Sequence, residues 1–140
     1  GSEMCIRDST IPVTEQQMLD NIRNIATDYP YYIYEIDGTI AGYCYAHSWK
    51  TRKACQLTAE TTVYIAPQHT GKGIGQLLMK RLIKECRNRK LHALIACITA
   101  ENTGSCIMHE KLGFKKVSAF YEVAFKAGQY LGVADYELIL

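Results

Sequence analysis

Apolar residues recur along the chain at two spacings, and the switches between them mark out its elements. From Thr14 to Thr27, Met18, Leu19, Ile22 and Ile25 fall at helical intervals, with Thr14 as N-cap and Gln17 as its capping-box partner. Pro30 ends that helix. Tyr31 to Ile36 reads as a strand, Asp37-Gly38 as a two-residue hairpin turn, and Thr39 to His47 as the return strand. Along that return strand Gly42, Cys44 and Ala46 alternate with Ala41, Tyr43, Tyr45 and His47, so the small residues predict one face packed closely on a helix. A polar loop, Ser48 to Gln56, leads to a strand at Thr61 to Ile65. Ile74 to Arg89 is predicted as a helix whose stripe is Ile74, Leu77, Leu78, Leu82, Ile83 and Cys86. Arg87, Arg89 and Lys90 complement its dipole at the C-terminal end. Ala93 to Thr99 is an unbroken apolar run, as in strands buried on both faces. A helix from Thr103 to Leu112 stops at Gly113, and Phe114–Val117, Glu122–Phe125 and Val133–Leu140 are further strands. The order predicts a mixed α/β sheet with helices on its faces.

The most informative stretch is Thr61 to Gln76, TTVYIAPQHTGKGIGQ, a strand that breaks at Pro67 and passes through glycines into a helix N-terminus. Alternate glycines let backbone approach a ligand closely, and the free amides and positive dipole end of the helix favour an anion. A phosphate-bearing ligand is the physical expectation. The Walker loop is excluded, because Gly71-Lys72 is followed by Gly73 rather than Ser or Thr. The dinucleotide fingerprint fits poorly: Gly71, Gly73 and Gly75 are spaced by two, and about twenty residues on stands Leu91-His92 instead of an acid.

Composition narrows the classes. A chain of 140 residues, 48% hydrophobic and 21% charged, is one soluble globular domain. A net charge of +2, with only the short run Lys50 to Lys53, predicts no nucleic-acid partner. No apolar run approaches the ~18 residues of a membrane span, so no membrane association is expected. The six cysteines show no C-x-x-C pair and no metal-ligand spacing with the four histidines. They read as reduced, mostly structural thiols of a cytoplasmic protein without a metal.

Gln68 to Gly73 satisfies [RQ]-x-x-G-x-[GA], and this segment resembles the acetyl-CoA pyrophosphate loop of the GNAT superfamily of N-acetyltransferases. Further blocks resemble its phosphinothricin and methionine sulfoximine N-acetyltransferase branch: Trp49; Thr58 to Pro67; His69 to Gly75; Glu101-Asn102 with Met108 to Phe114; and Phe125 to Gly128. The similarity covers about Thr10 to Leu140 and implies a GNAT-like, mostly antiparallel central sheet with helices on both faces. It also implies acetyl transfer from acetyl-CoA, as co-substrate, to the primary amine of a small amino-acid-like molecule in a ternary complex.

On this resemblance Glu60 matches the catalytic carboxylate, placed to accept the ammonium proton. His109 stands where the branch has the histidine that serves the departing thiolate, and an imidazole can donate or accept near neutrality. The amides of Thr70, Gly71, Lys72, Gly73, Ile74 and Gly75 match the pyrophosphate loop, with Lys72 adding charge. Val63 and Ile65 would offer backbone groups to the pantetheine arm, with an oxyanion donor near Val63. Asn102 and Ser105 match side-chain contacts to that arm, while the residues themselves also read as N-cap and first turn. Trp49, Lys50 and Arg52 form the substrate loop, with cations suited to a carboxylate or phosphinate.

Several positions depart from the branch. Thr70 replaces an Arg or Gln, Cys55-Gln56-Leu57 replaces aromatic and basic residues, and Tyr130-Leu131-Gly132 replaces Trp-x-Asp. Gly1-Ser2-Glu3 reads as a cloning remnant. Met4 to Ser9 resembles a short sequence at the ends of translated metagenomic reads, although Ile6-Arg7 opening a strand is an equal reading. Residues 1–9 are thus set apart as a leader and 10–140 as a single N-acetyltransferase domain, without room before Thr10 for the branch's first strand and helix. Members are commonly dimers, so a homodimer is expected. Two rivals stay open: another amine acceptor, such as a polyamine or a protein N-terminus, and a truncated, non-catalytic acyl-CoA- or partner-binding module.

Overall fold

Aromatic and β-branched residues build β1 (Tyr31–Ile36), which turns through Asp37-Gly38 into β2 (Thr39–Ser48). A loop with a short 3-10 turn at Lys53–Cys55 leads to β3 (Thr58–Ile65), which begins three residues before the expected Thr61. A second 3-10 turn at Pro67–His69 and the glycine-rich loop enter α1 (Ile74–Asn88). There follow β4 (Ala93–Thr99), α2 (Thr103–Lys111), β5 (Lys115–Lys126) and β6 (Gln129–Ile139). This computed structural model describes residues 29–140, so the helix expected at 14–27, the leader and Cys5 lie outside the described residues.

The strands form one sheet in the order β1-β2-β3-β4-β6-β5. Every neighbouring pair is antiparallel except β3 and β4. The parallel pair is short: it runs from Thr58 opposite Ala93 to Thr61 opposite Ala96, and Thr62 to Ile65 pair with β2 alone. The sheet therefore opens a wedge between β3 and β4.

Both described helices feed one buried cluster. Leu78, Met79, Leu82, Ile83 and Cys86 of α1 and Met108 of α2 meet Cys44, Val63, Ile65, Leu94, Ile98, Tyr136 and Leu138 of the sheet. Each fully buried aliphatic side chain here contributes about 1.5–3 kcal/mol. The small face of β2 does take α1 at close range: the Cys44 thiol reaches the Leu78 carbonyl at 3.4 Å. A Cβ at Gly42 would stand 2.7 Å from both the Ile65 Cδ1 and the Tyr64 carbonyl. Burial holds the Cys44 thiol far above its ordinary pKa and pushes Cys86 up to about 11, so both remain unreactive core groups.

Three expectations needed correction. Ala41 joins the helix side, not the tyrosine side, because a register shift puts Tyr34 opposite Gly42 but Glu35 opposite Ile40. The extra residue of such a bulge resets the alternation. In α1, Leu77 is 54% exposed whereas Met79 is wholly buried, since the sheet meets the i, i+4 rows through Ile74 and Gly75. The strands expected at 114–117 and 122–125 are one strand, β5, whose register shift between Phe120 and Ala124 mimics a break. As an edge strand exposed along most of its length, it carries no clean two-residue period.

Candidate active site

The loop Thr70 to Gly75 encloses the mouth of a cavity of about 210 Å³, lined by Ile65, His69, Thr70, Gly71, Gly73, Ile74, Gly75 and Gln76, and by Gly104, Ile107, Met108 and Lys111 of α2. Gly71 and Gly73 hold φ of +77° and +79°, a left-handed backbone that costs an L side chain roughly 1–2 kcal/mol. A Cβ on either would meet nothing within 4 Å, so the glycines serve the chain direction and leave the space before the helix open. Gly73 is the N-cap of α1 and offers no side-chain acceptor, and no acid stands in the first turn. Leu77 is the residue whose amide bonds back to the Gly73 carbonyl, at 3.1 Å. The amides of Ile74, Gly75 and Gln76 thus end the helix facing this mouth, with the positive dipole end behind them.

Expected loop residues divide. Ile65, Thr70, Gly71, Gly73, Ile74 and Gly75 line the cavity; Lys72 does not, and its Nζ donates to the His69 Nδ1 at 3.2 Å. The Thr70 hydroxyl donates to the Pro67 carbonyl at 3.0 Å, which ties the loop to the preceding turn. Lys111 and His69 were missed as cavity residues. The first could have been found from spacing, because Gly104, Ile107, Met108 and Lys111 recur every three or four residues on one face of α2.

From the loop the wedge runs back along β3. Ala66 donates to the Ala41 carbonyl at 2.8 Å, and the Leu57 carbonyl accepts from Ala93. Strand alternation between these two points turns the peptide groups of Ala59, Thr61, Val63 and Ile65 toward β4. The ladder ends at Thr61, so the peptide groups of Val63 and Ile65 face the wedge. These are the two positions from which backbone groups were expected for a pantetheine arm.

Glu60 lies on the opposite face, beside the wedge apex, opposite Ile95 on β4 and opposite His47 on β2. The His47 Nε2 stands 4.0 Å from the Glu60 Oε2, and both side chains are mostly buried. His47 is a further site residue the sequence did not single out. Trp49 and Lys50 follow immediately as the chain leaves β2, with the Lys50 ammonium 4.9 Å from the Trp49 ring centre. Arg52 is exposed at the start of the 3-10 turn.

On the helix side, the Asn102 side chain accepts from the Ser105 amide at 3.3 Å and so caps α2. Ser105 is buried, with its hydroxyl 3.4 Å from the His109 Nδ1, and neither Asn102 nor Ser105 lines the cavity. His109 is only 2% exposed. Its Nδ1–H donates to the Ser105 carbonyl at 2.8 Å, and the edge of Phe114 packs on the ring at 5.0 Å. Burial lowers its pKa, opposed by the weaker effect of that hydrogen bond, so the ring is neutral at pH 7 with Nε2 as the remaining acceptor. Among the described residues no three His, Cys, Asp or Glu side chains are grouped to hold a metal ion, and no helix is long and apolar enough to cross a membrane.

Comparison with known proteins places this geometry. The sequence profile of the acetyltransferase (GNAT) family matches residues 4–114. A phosphinothricin N-acetyltransferase from Streptomyces viridochromogenes is 32% identical over 133 residues, 92% of this chain and 73% of the relative. An L-methionine sulfoximine/L-methionine sulfone acetyltransferase from Salmonella typhimurium is 34% identical over 112 residues, 80% of this chain and 66% of the relative. The crystal structure of a GNAT superfamily phosphinothricin acetyltransferase from Sinorhizobium meliloti, in complex with acetyl-CoA, superposes with a TM-score of 0.84 at 30% identity, covering 92% of this chain and 71% of that one. The chain thus spans about two thirds to three quarters of the length of these relatives.

Proposed function

The chain belongs to the acetyltransferase (GNAT) family, and on that premise we propose that it transfers the acetyl group of acetyl-CoA to the primary amine of a small amino-acid-like molecule, of the methionine sulfoximine or phosphinothricin type. The observation that carries this reading is the wedge between β3 and β4, with a glycine loop and helix N-terminus at its mouth and a carboxylate beside its apex. Ile65 to Glu60 spans roughly 17 Å of strand. An extended pantetheine arm is of that length, so a pyrophosphate at the amides of Gly71 to Gly75 puts the thioester beside Glu60.

Bound acetyl-CoA supplies an activated acetyl group and leaves as the thiol. Glu60 takes the proton of the ammonium, directly or through a water, so that the amine can attack. His47, 4.0 Å away, holds that carboxylate in place across the β2–β3 ladder. The peptide N–H near Val63 meets the charge that develops on the carbonyl oxygen. His109 acts at Nε2, because its Nδ1–H is committed to Ser105; the proton released from the ammonium reaches that nitrogen through water and goes on to the departing thiolate, so that none is gained or lost overall. Lys72 and Lys111 supply positive charge around the mouth, and Asn102 and Ser105 hold the end of α2 beside the arm.

The same reading places the enzyme in the cytoplasm as a homodimer. Val117, Tyr121 and Phe125 on the edge strand, with Tyr130, are exposed large apolar side chains of the kind a second copy covers. Sedimentation as a stable monomer would remove the dimer.

The experiment is release of free thiol from acetyl-CoA with each amine, in the parent chain and in Glu60→Gln. Turnover in the parent that falls at least a hundredfold in the variant, while acetyl-CoA still raises the melting temperature of both, supports the reading. Unchanged turnover in Glu60→Gln takes that residue out of its role. Binding of acetyl-CoA without turnover of any amine would mark a non-catalytic module.

A further inference from the structure

A second cavity, of about 350 Å³, lies over β4, β6 and β5 and is lined by Cys97, Phe120, Val123, Ala124, Val133 and Asp135. Alternation fixes its face. Leu94, Ala96 and Ile98 of β4 and Ala134, Tyr136 and Leu138 of β6 point into the helix-side cluster, so Cys97, Val133 and Asp135 point away from it. Glu60 is on that same side, because the alternate positions Ala59, Val63 and Ile65 of β3 belong to the helix-side cluster. The register carries the placement across the sheet: Glu60 is opposite Ile95, and two residues along β4 Cys97 is opposite Asp135. The cavity therefore opens beside the wedge apex, on the face from which an amine reaches Glu60.

Asp135 is the charged group in its wall. The Ser118 hydroxyl donates to its Oδ2 at 2.7 Å, which orients the carboxylate and occupies one of its acceptor positions. No basic side chain among the described residues pairs with it. Two strand spacings and two residues separate Glu60 from Asp135, about 12 Å between Cα atoms. That leaves room for a hydrogen bond of about 3 Å at each end and a molecule of the length of methionine sulfoximine between them.

We infer that this cavity receives the tail of the acceptor and that Asp135 selects tails that donate a hydrogen bond or carry positive charge, against anionic ones. The inference rests on the acetyltransferase reading and narrows its substrate class. Three acceptors of nearly equal shape separate the chemistry: methionine sulfoximine has a neutral tail with an N–H donor, methionine sulfone a neutral tail with acceptors only, and phosphinothricin an anionic phosphinate. A second carboxylate facing the phosphinate repels it, and one facing the sulfone leaves its own lone pairs unmatched.

The test is kcat/KM for the three acceptors with acetyl-CoA, in the parent chain, in Asp135→Asn and in Asp135→Glu. The expected order is sulfoximine, then sulfone, then phosphinothricin, with at least tenfold between the first and the last. Asp135→Asn, which keeps an acceptor for Ser118, should shrink that ratio at least tenfold, and Asp135→Glu should restore part of it. Each ratio is internal to one protein, so a general loss of folded enzyme cancels. Turnover of all three in the parent chain, with the same ratios in Asp135→Asn, overturns the role of Asp135 and leaves the acetyltransferase reading standing. Absence of turnover with every amine overturns both.

Discussion

Replacing His109 with Gln isolates the energetic consequence of burying a titratable ring between α2 and the sheet. His109 is 2% exposed, its Nδ1–H is bound to the Ser105 carbonyl, and its pKa is held below the ordinary histidine value. In the unfolded chain the ring titrates near pH 6.5. Above that pH both states carry the neutral ring, and its contribution to stability is present in full. As the pH falls below about 6.5 the unfolded state takes up the proton first, so that contribution is lost until the folded pKa is passed. The slope is at most ~1.4 kcal/mol per pH unit, one proton's worth. The unfolded ring is already half protonated at pH 6.5, so between pH 6.5 and 5.5 the parent chain should lose up to about 1 kcal/mol through this residue, and His109→Gln should not. The other three histidines are common to both proteins and drop out of the difference. Urea denaturation at pH 7.5, 6.5 and 5.5 reads it, and the same difference appears as several degrees in the melting temperature. Gln itself should cost about 1–3 kcal/mol at pH 7.5, where the ring packing is lost. Equal slopes in the two proteins would refute the buried, neutral ring, and a parent chain that gains stability through this residue on acidification would mean a charged one.

The other expectations concern the loop and the core. Gly73→Ala meets no steric obstacle, so its effect is the left-handed backbone alone; acetyl-CoA at a hundred times its dissociation constant should stabilise the parent chain by ~2.7 kcal/mol and this variant by clearly less, with NAD and ATP as controls. Equal shifts would detach the loop from the co-substrate. Leu78→Ala should destabilise by about 2–5 kcal/mol and Leu77→Ala by less than ~0.5, because the first is buried against the sheet and the second faces solvent; similar losses in denaturation would mean the buried face of α1 is misplaced.

The described elements were largely legible in the chain, because their signals are local. The hairpin at Asp37-Gly38, the apolar run of β4, the cap Asn102 and the stop at Gly113 each depend on a few adjacent residues. The readings that failed depended on a partner. Ala41 changed face through a bulge that only pairing with β1 creates, and β5 looked like two strands because an exposed edge imposes no period.

The candidate site divides in the same way. By itself the sequence determined the glycine loop, the helix behind it and the residue types for an anion site, since backbone freedom and helix dipoles belong to the local chain. Only the tertiary structure decided that β3 and β4 part after Thr61 and Ala96, which leaves the peptide groups of Val63 and Ile65 facing the wedge instead of a ladder on β4. It also set His47 beside Glu60, Lys111 at the cavity, His109 in the core and Asp135 on the Glu60 face. Those side chains are separated by tens of residues, and their proximity follows from strand order and register, which no local pattern encodes.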